Sequence, residues 1–356
     1  AARFIHTHAW QMACLRNLFG NPESVYYVSF FSNGRAIAIF PLRRVRRSAG
    51  RVALWLWELP THPHITLAEP LIAPDADVPQ LVGLLVDVFE RRINLPWHAL
   101  HLPGMVDDAL TASALRKLVG PLNRIEKMGE SMHFDCHNLE TAMRNCSSTF
   151  RRNLRRQRKK LEQRGTVTLT LARQGQALQE AFADFLRLEG SGWKGEAGRG
   201  SAICLHPELA GFYGELRDGF GWEDNCLIAL LKLDGVAIAA QFCLLAGSTL
   251  SIQKIAYDEA WHAEAPGQQL MHDMLGYACA NPAITRVSLL TAPLWAKGRW
   301  NPEKSDVWEA YFFNRHPRSL LACALRSAKG RLQAPWQVVR RHLPEKMAHL
   351  IEKGGH

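Results

Sequence analysis

Two stretches of this chain, 201 residues apart, repeat each other in one ungapped register. Leu15, Arg16, Phe19 and Gly20 match Leu216, Arg217, Phe220 and Gly221, and Gly34, Ala36, Ile37 and Ala38 match Gly235, Ala237, Ile238 and Ala239. The same offset aligns Asn33-Gly34 with Asp234-Gly235, and each dipeptide joins two β-rich runs as a tight hairpin turn does. An apolar helical pattern precedes each hairpin. A helix-plus-hairpin unit used twice predicts two similar α/β domains, because each unit must bury its own apolar face. The 356 residues suffice for two cores.

The richest local signal is Thr249 to Ala280. Leu250, Ile252, Lys254 and Ala256 alternate as a strand, a polar loop runs from Asp258 to Ala265, and Pro266-Gly267 starts a helix with Leu270, Met271, Met274, Leu275 and Ala278 on one face. Strand, Gly turn and helix together make an anion site. The first N–H groups of a helix lack internal partners and lie at the positive end of its dipole, and a residue without a side chain lets a diphosphate approach. A Pro-Gly turn that merely begins a helix is the plainer reading of the same residues.

Between the repeats the chain turns basic. In FRRNLRRQRKKLEQRG, eight of the fourteen residues from 151 to 164 are Lys or Arg, and Phe150, Leu154 and Leu161 leave a narrow apolar stripe. This pattern suits a solvated helix, a docking face for an acidic carrier protein, or a phosphate surface. Nucleic acid is disfavoured, since no aromatic residues interleave for base stacking. The net charge of +10 favours anionic partners without choosing among them. The segment around 120 to 145 reads as irregular. Val78 to Ile93 reads as an amphipathic helix, and His62 and His64 fall in a loop.

After a helix at Gln176 to Glu189 comes LEGSGWKG. Glu189 at a helix C-terminus, where the dipole disfavours a carboxylate, is a candidate general base or else a partner of Lys194 or Arg187. Trp193 and Lys194 sit among three glycines and are candidates for lining a substrate pocket; Trp193 could equally be core. Lys254 is a candidate phosphate or carboxylate contact, with pairing to Glu259 as the alternative. The eight cysteines include no CxxC and no ligand set with His, so no metal is expected, and reduced thiols point to a cytoplasmic protein. No membrane span or secretory pattern is read.

The order of FRRNLRRQRKKLEQRG, LEGSGWKG, LDGVAIAAQF, QKIAYDE, APGQQL, Lys297 and Trp300 resembles the acetyltransferases of cellulose biosynthesis (CelD/BcsL type) from about residue 4 to 313. These belong to the GNAT superfamily and are similar in architecture to the FemAB aminoacyl transferases. The resemblance implies two tandem GNAT-like domains, each a mixed, mostly antiparallel sheet flanked by helices: a degenerate one over 1–140, an acyltransferase domain over 141–316, and a basic helical tail over 317–356. It implies an acyl-CoA or acyl-carrier-protein thioester as co-substrate, with no permanently bound cofactor, and an amine acceptor. Carried over by position, Pro266, Gly267, Gln268, Gln269 and Leu270 match the loop for the donor's diphosphate, with Lys254, Tyr257 and Asp258 on the preceding strand and its exit. Relatives place an acid in the strand equivalent to Thr285–Thr291, where this chain has RVSLL, so the base role falls to Glu189 or Asp258, with Tyr257 as acid to the departing thiolate. The alternatives are a FemAB-like transferase using aminoacyl-tRNA, against which stands the lack of a long heptad-patterned arm, and a non-catalytic assembly protein whose tail, Ser319 to Ile351, lies on a membrane surface.

Overall fold

The computed structural model describes residues 3–20, 24–49, 52–107, 114–115, 118, 120–192 and 194–327. The fold is mixed α/β, as expected: one large, mostly antiparallel sheet of twelve strands with helices on its faces. Both copies of the repeat are hairpins. The first is β1 (Val25–Ser32) with β2 (Arg35–Ala49), and the second is β8 (Cys226–Leu233) with β9 (Val236–Ala246). Asn33 and Asp234 both take positive φ, 50° and 47°, ahead of Gly34 and Gly235 at 76° and 84°, the backbone that a two-residue hairpin turn requires. The irregularities repeat too. The first ladder slips between Phe30 and Phe31, the second between Leu231 and Lys232, so that Phe31 faces Ala36 as Lys232 faces Ala237.

Each hairpin acquires a third antiparallel strand and then, beyond a helix, a fourth strand parallel to that third. In the first half these are β3 (Val52–Glu58), helix α2 (Val78–Arg91) and β5 (Ala99–Val106), with the short β4 (Leu71–Ile72) set against β2. In the second half they are β10 (Thr249–Tyr257), helix α6 (Pro266–Ala280) and β11 (Arg286–Ser288). Two further strands, β6 (Asn123–Asp135) and β12 (Glu303–Phe313), knit the halves together, and β7 (Val167–Ala172) closes the far edge. The order is β1-β2-β3-β5-β12-β6-β11-β10-β9-β8-β7.

The expectation of irregular chain from 120 to 145 is overturned by β6, which pairs with β12 along one edge and β11 along the other. Its sequence, NRIEKMGESMHFD, has too few apolar residues to announce a strand. Cross-strand charge replaces apolar alternation: Lys127 meets Asp306 at 2.5 Å, and Lys304 meets Glu130 at 3.8 Å.

Helices follow from their caps and faces. The helix α1 (His8–Ala13) starts where the Thr7 side chain accepts from the Trp10 N–H. The basic helix α3 (Ser148–Glu162) is capped by Ser147, whose hydroxyl accepts from Phe150 N at 3.1 Å. Next come α4 (Gly175–Ser191) and α5 (Pro207–Trp222). On one face of the second half, α3 and α6 bury Leu154, Leu161, Leu270 and Met274 against Leu250 and Ile252. On the other, α4 and α5 bury Phe185, Phe212 and Leu216 against Phe242, and α1 of the first copy joins this core, with Trp10 and Phe212 ring centroids 5.3 Å apart. Of the expected tail only 317–327 are described, a helix that buries Ala322 and Cys323 against Leu54 and Leu56; the membrane-facing stretch expected beyond it lies outside the described residues. Among the described residues no helix is long and apolar enough to cross a membrane.

The segment before β4 crosses the sheet where Gly104 of β5 lets it pass. Gly104 has φ +72°, and a Cβ there would lie 2.8 Å from Ala68 N. Gly104→Ala should therefore cost ~1–3 kcal/mol for the left-handed backbone, with the collision added. It should appear as a lower urea midpoint at unchanged m value.

Candidate active site

Along β10 the sheet opens. This strand pairs with β9 from Thr249 to Tyr257 but with β11 only over Thr249–Ser251, opposite Arg286–Ser288. Past Ser288 the chain turns to β6 instead, where Leu289 N donates to Met132 O at 2.8 Å and Met132 N to Thr291 O at 3.1 Å. Between Ile252 and Tyr257, then, one edge of β10 has no partner strand among the described residues. The strand also bulges at Gln253, and the Gln253 Nε2 is buried without a hydrogen-bond partner. At ~3.3 Å per residue, the open edge from Ser251 to Tyr257 runs for roughly 20 Å.

The outer end of this notch is the turn into α6. Ala265 takes the left-handed conformation (φ 50°, ψ 55°) and Pro266 occupies the first turn of the helix. Pro266 has no N–H, and Gln268 N and Gln269 N both turn back to Ala265 O, at 2.9 and 3.1 Å. What faces outward is the Gly267 backbone, on which Tyr257 lies: a Cβ on Gly267 would meet the Tyr257 ring at 3.5 Å. Three of the expected donor contacts turn their side chains inward. Leu270 is core, Gln269 donates to Leu154 O at 3.0 Å, tying α6 to α3, and Gln268 accepts from Trp300 Nε1. Asp258 caps the following turn, its Oδ1 accepting from Ala260 N at 2.9 Å.

On the α4 face of β10, beside the bulge, a second cluster gathers. Glu189, in the last turn of α4 and 4% exposed, accepts from Ile203 N at 2.7 Å and pairs with Lys194 at 3.1 Å. Of the two partners considered for Glu189, Lys194 is the one it takes. The loop that returns Lys194 is tight, since a Cβ on Gly195 would lie 2.2 Å from Gly190 O. Trp193 lies outside the described residues. Lys254 reaches the same space. Burial, with the Lys194 charge adding, pulls its pKa from 10.5 down to about 8, against the opposing pull of Glu189.

Two members of this cluster were not singled out as a pair in the sequence. His64 Nδ1 lies 3.0 Å from the Tyr213 hydroxyl, and burial, with Lys254 nearby, holds His64 near a pKa of about 3, hence neutral. Burial and then the Glu189 charge raise Tyr213 well above its usual value. Only the His-Pro-His spacing hinted at the first, and nothing marked Tyr213 apart from a core aromatic.

Thus Glu189, Lys194 and Lys254 come together near the inner end of the notch, and Tyr257 and Gly267 at its outer end. Next to the outer end runs α3, whose Gln157 donates to Ala263 O at 3.3 Å. Arg152, Arg155, Arg156, Lys159 and Lys160, spaced three and four apart, form one exposed row, and none has an ion-pair partner among the described residues.

Residues 148–298 match the model of the acetyltransferase (GNAT) domain family. No curated protein matches the chain. Among solved structures the chain is similar to FemX, with a TM-score of 0.57 at 13% identity over 90% of this chain and 94% of that one. It is also similar to the C-terminal domain of an Agrobacterium fabrum protein assigned as a lysylphosphatidylglycerol synthetase, with a TM-score of 0.51 at 15% identity over 85% and 88% of the two chains. A tandem GNAT protein from the clavulanic acid biosynthesis pathway aligns at a TM-score of 0.44 and 10% identity, over 85% and 87%. At these identities the property shared with the first two is the fold.

The depressed pKa of Lys254 fixes a sign for stability. Below pH 8 the lysine is charged in both folded and unfolded chains and its burial is penalised in full; the penalty shrinks between pH 8 and 10.5 and is absent above. Lys254→Met should accordingly be more stable than the wild type at pH 7, with the difference fading by pH 10.5, as read by urea denaturation across that range.

Proposed function

We propose that the chain is an N-acyltransferase that moves an acyl group from a pantetheine thioester to an amine. The observation that supports this best is the notch. Over six residues one edge of β10 has no partner strand among the described residues, and the outward backbone groups of alternate residues there lie beside a helix N-terminus; an extended, amide-bearing arm that ends in phosphate matches both features. In this reading the diphosphate rests on the Gly267 backbone under Tyr257, the arm follows β10 inward, and the thioester arrives near Gln253. The matched acetyltransferase domain spans every one of these residues.

Transfer forms a C–N bond, breaks the C–S bond, and requires the amine to lose a proton while the thiolate gains one. Glu189 has both oxygens engaged. We assign to it the holding of the Lys194 and Lys254 ammonium groups, and to Lys254 the uptake of the amine proton, since burial makes its neutral form accessible near pH 8. Asp258 then shapes the turn, and Tyr257 walls the diphosphate subsite, far along β10 from the thioester. Trp193 and Lys194 stay assigned to the acceptor side. Holding amine and thioester at attacking distance can supply roughly 7 to 11 kcal/mol by orientation alone.

The narrower kinship, to the cellulose-biosynthesis acetyltransferases, rests on motif order. The division at 140/141 is likewise a proposal, resting on the two hairpin units. For the donor, the α3 row favours a thioester carried by an acidic protein, whose helix can meet five cations while its arm enters the notch with a single phosphate in the place of coenzyme A's diphosphate. An aminoacyl-tRNA is the second reading that this row allows.

Calorimetric titration with coenzyme A, acetyl-CoA and a longer acyl-CoA should show binding to the wild type and at least about tenfold weaker binding to Gly267→Val, whose branches fill the mouth under Tyr257. Binding unaffected by the valine, or absent with all three donors, would count against the notch as donor site. Turnover should rise with pH through about 8, and Lys254→Met should lose that limb. Reversing Arg155, Arg156 and Lys159 to Glu should cut kcat/KM with an acyl-carrier protein by about tenfold or more while changing it less than about threefold with the coenzyme A thioester.

A further inference from the structure

Beyond the inner end of the notch lies a cleft of about 760 Å³, within the range of small-molecule sites. Its floor is the sheet itself. Ser251 of β10 stands opposite Ser288 of β11, Ser288 opposite His133 of β6, and Ser131 of β6 opposite Ser305 of β12, all facing the cleft. On the reverse face the same strands carry Leu250, Val287, Phe134 and Met132, fully packed. Strands buried on both faces ordinarily put apolar side chains on each. Here four serines occupy the second face, and they are too small to fill it.

Two of these serines are nearly inaccessible: Ser131 is 5% and Ser251 3% exposed. Neither hydroxyl, nor that of Ser305, finds a hydrogen-bond partner among the described residues. These hydroxyls are open to the cleft and not sealed off from it, so a ligand that displaced the cleft's water without replacing its hydrogen bonds would be disfavoured, and one that pairs with the row is favoured. The facing wall is apolar, built from Ile37, Ile39 and Ile72. Charge at the rim cancels: Arg3 pairs with Glu69 at 3.3 Å, Arg35 with Asp75 at 3.1 Å and Arg286 with Asp135 at 3.3 Å. Burial and then Arg3 hold His6 to a pKa of about 4, so it too is neutral.

We infer that this cleft binds a polyhydroxylated, carbohydrate-like molecule without a strong negative charge, and that this molecule carries the acceptor amine. A saccharide ring offers hydroxyls to the serine row and C–H faces to the isoleucines. A phosphorylated ligand would meet no uncompensated cation among the described residues, and an apolar amine would leave the serines unpaired. The acceptor role rests on the proposed transfer reaction, because Ser251 is the last β10 residue paired with β11 and so marks where the thioester would end. The binding itself does not depend on it.

The test is ligand-observed NMR on the full chain without any donor, using the disaccharide of glucosamine, maltose as an amine-free control, and cyclohexylamine as an amine without hydroxyls. Both disaccharides should bind and cyclohexylamine should not. The Ser131→Val, Ser251→Val double variant, which replaces hydroxyls by methyl groups, should weaken the disaccharides by at least about tenfold. Its far-UV circular dichroism and urea midpoint, compared with those of the wild type, certify the fold. Should the double variant lose its fold, Ser131→Ala and Ser251→Ala singly serve in its place, each expected to weaken the disaccharides. Failure of both disaccharides to bind, equal binding to wild type and serine variants, or preference for cyclohexylamine overturns the inference. Saccharide binding without acyl-CoA binding upholds the cleft and overturns the donor reading; transfer of an acyl group to the glucosamine disaccharide upholds both.

Discussion

One broken ladder organises this molecule. A β-strand buried among neighbours normally satisfies its N–H and C=O groups on both edges, and leaving one unpaired out of water costs about 1–3 kcal/mol. Among the described residues, the β10 strand is paired on both edges for three residues and then on one edge only. The divergence is held open by bonds elsewhere, since β11 and the chain after it are committed to β6 through Leu289 and Thr291, so the notch cannot close without breaking that ladder. The residues proposed for function are placed by that opening. The cluster at Lys254 lies on one face of its inner end, the serine cleft begins at its last paired rung, and the Gly267 turn sits at its mouth.

The first half makes the same divergence, for β3 and β5 also pair in parallel over only three residues, Leu56–Glu58 with Ala99–His101. The halves are not separable along the chain, however. The β12 strand is synthesised after the second half and lies between β5 and β6, pairing with each. Its cross-strand charges with β6, together with α1 packed on α5, make the junction between copies part of the core rather than a hinge. The proposed acceptor cleft spans that junction, with a floor from β10 and β11 of the second half and the two joining strands β6 and β12, and a wall from the first half.

Much of this was legible because it is written in short-range rules. A repeated turn dipeptide fixed the hairpins, and even the bulge recurs at the same offset, since Phe31 and Lys232 are 201 residues apart. Helix phase predicted that Leu270, Met271 and Met274 would be core. What stayed hidden depends on partners far along the chain. The β6 strand is polar because it is stabilised by charges on β12, 179 residues distant at Lys127–Asp306 and nearly as far elsewhere. Gln268 and Gln269 looked available beside Gly267, yet Trp300 and the Leu154 carbonyl take them, and no local pattern announces either. Glu189 and Lys194 were readable as a pair at short spacing, whereas His64 and Tyr213 meet across 149 residues.

The net charge of +10 also has a place in this account once its distribution is known. Many arginines cancel locally: Arg158 meets Asp273, Arg164 meets Glu264, Arg187 meets Asp184 and Arg286 meets Asp135. Five cations of α3 have no ion-pair partner among the described residues, and they stand in one row beside the Gly267 end of the notch. At physiological ionic strength a field of exposed charge persists for about 8 Å, enough to bias encounter at that mouth and too short to reach across the sheet. The proposed acceptor cleft lies on the other side, and its rim arginines are paired with carboxylates. A transferase that must admit an anionic donor and a polar, weakly charged acceptor to one reaction centre gains from such a division, because a cationic acceptor side would attract the donor's phosphates to the wrong end of the notch. The polarity of the two approaches, and not the shape of the opening alone, then orders which substrate enters where.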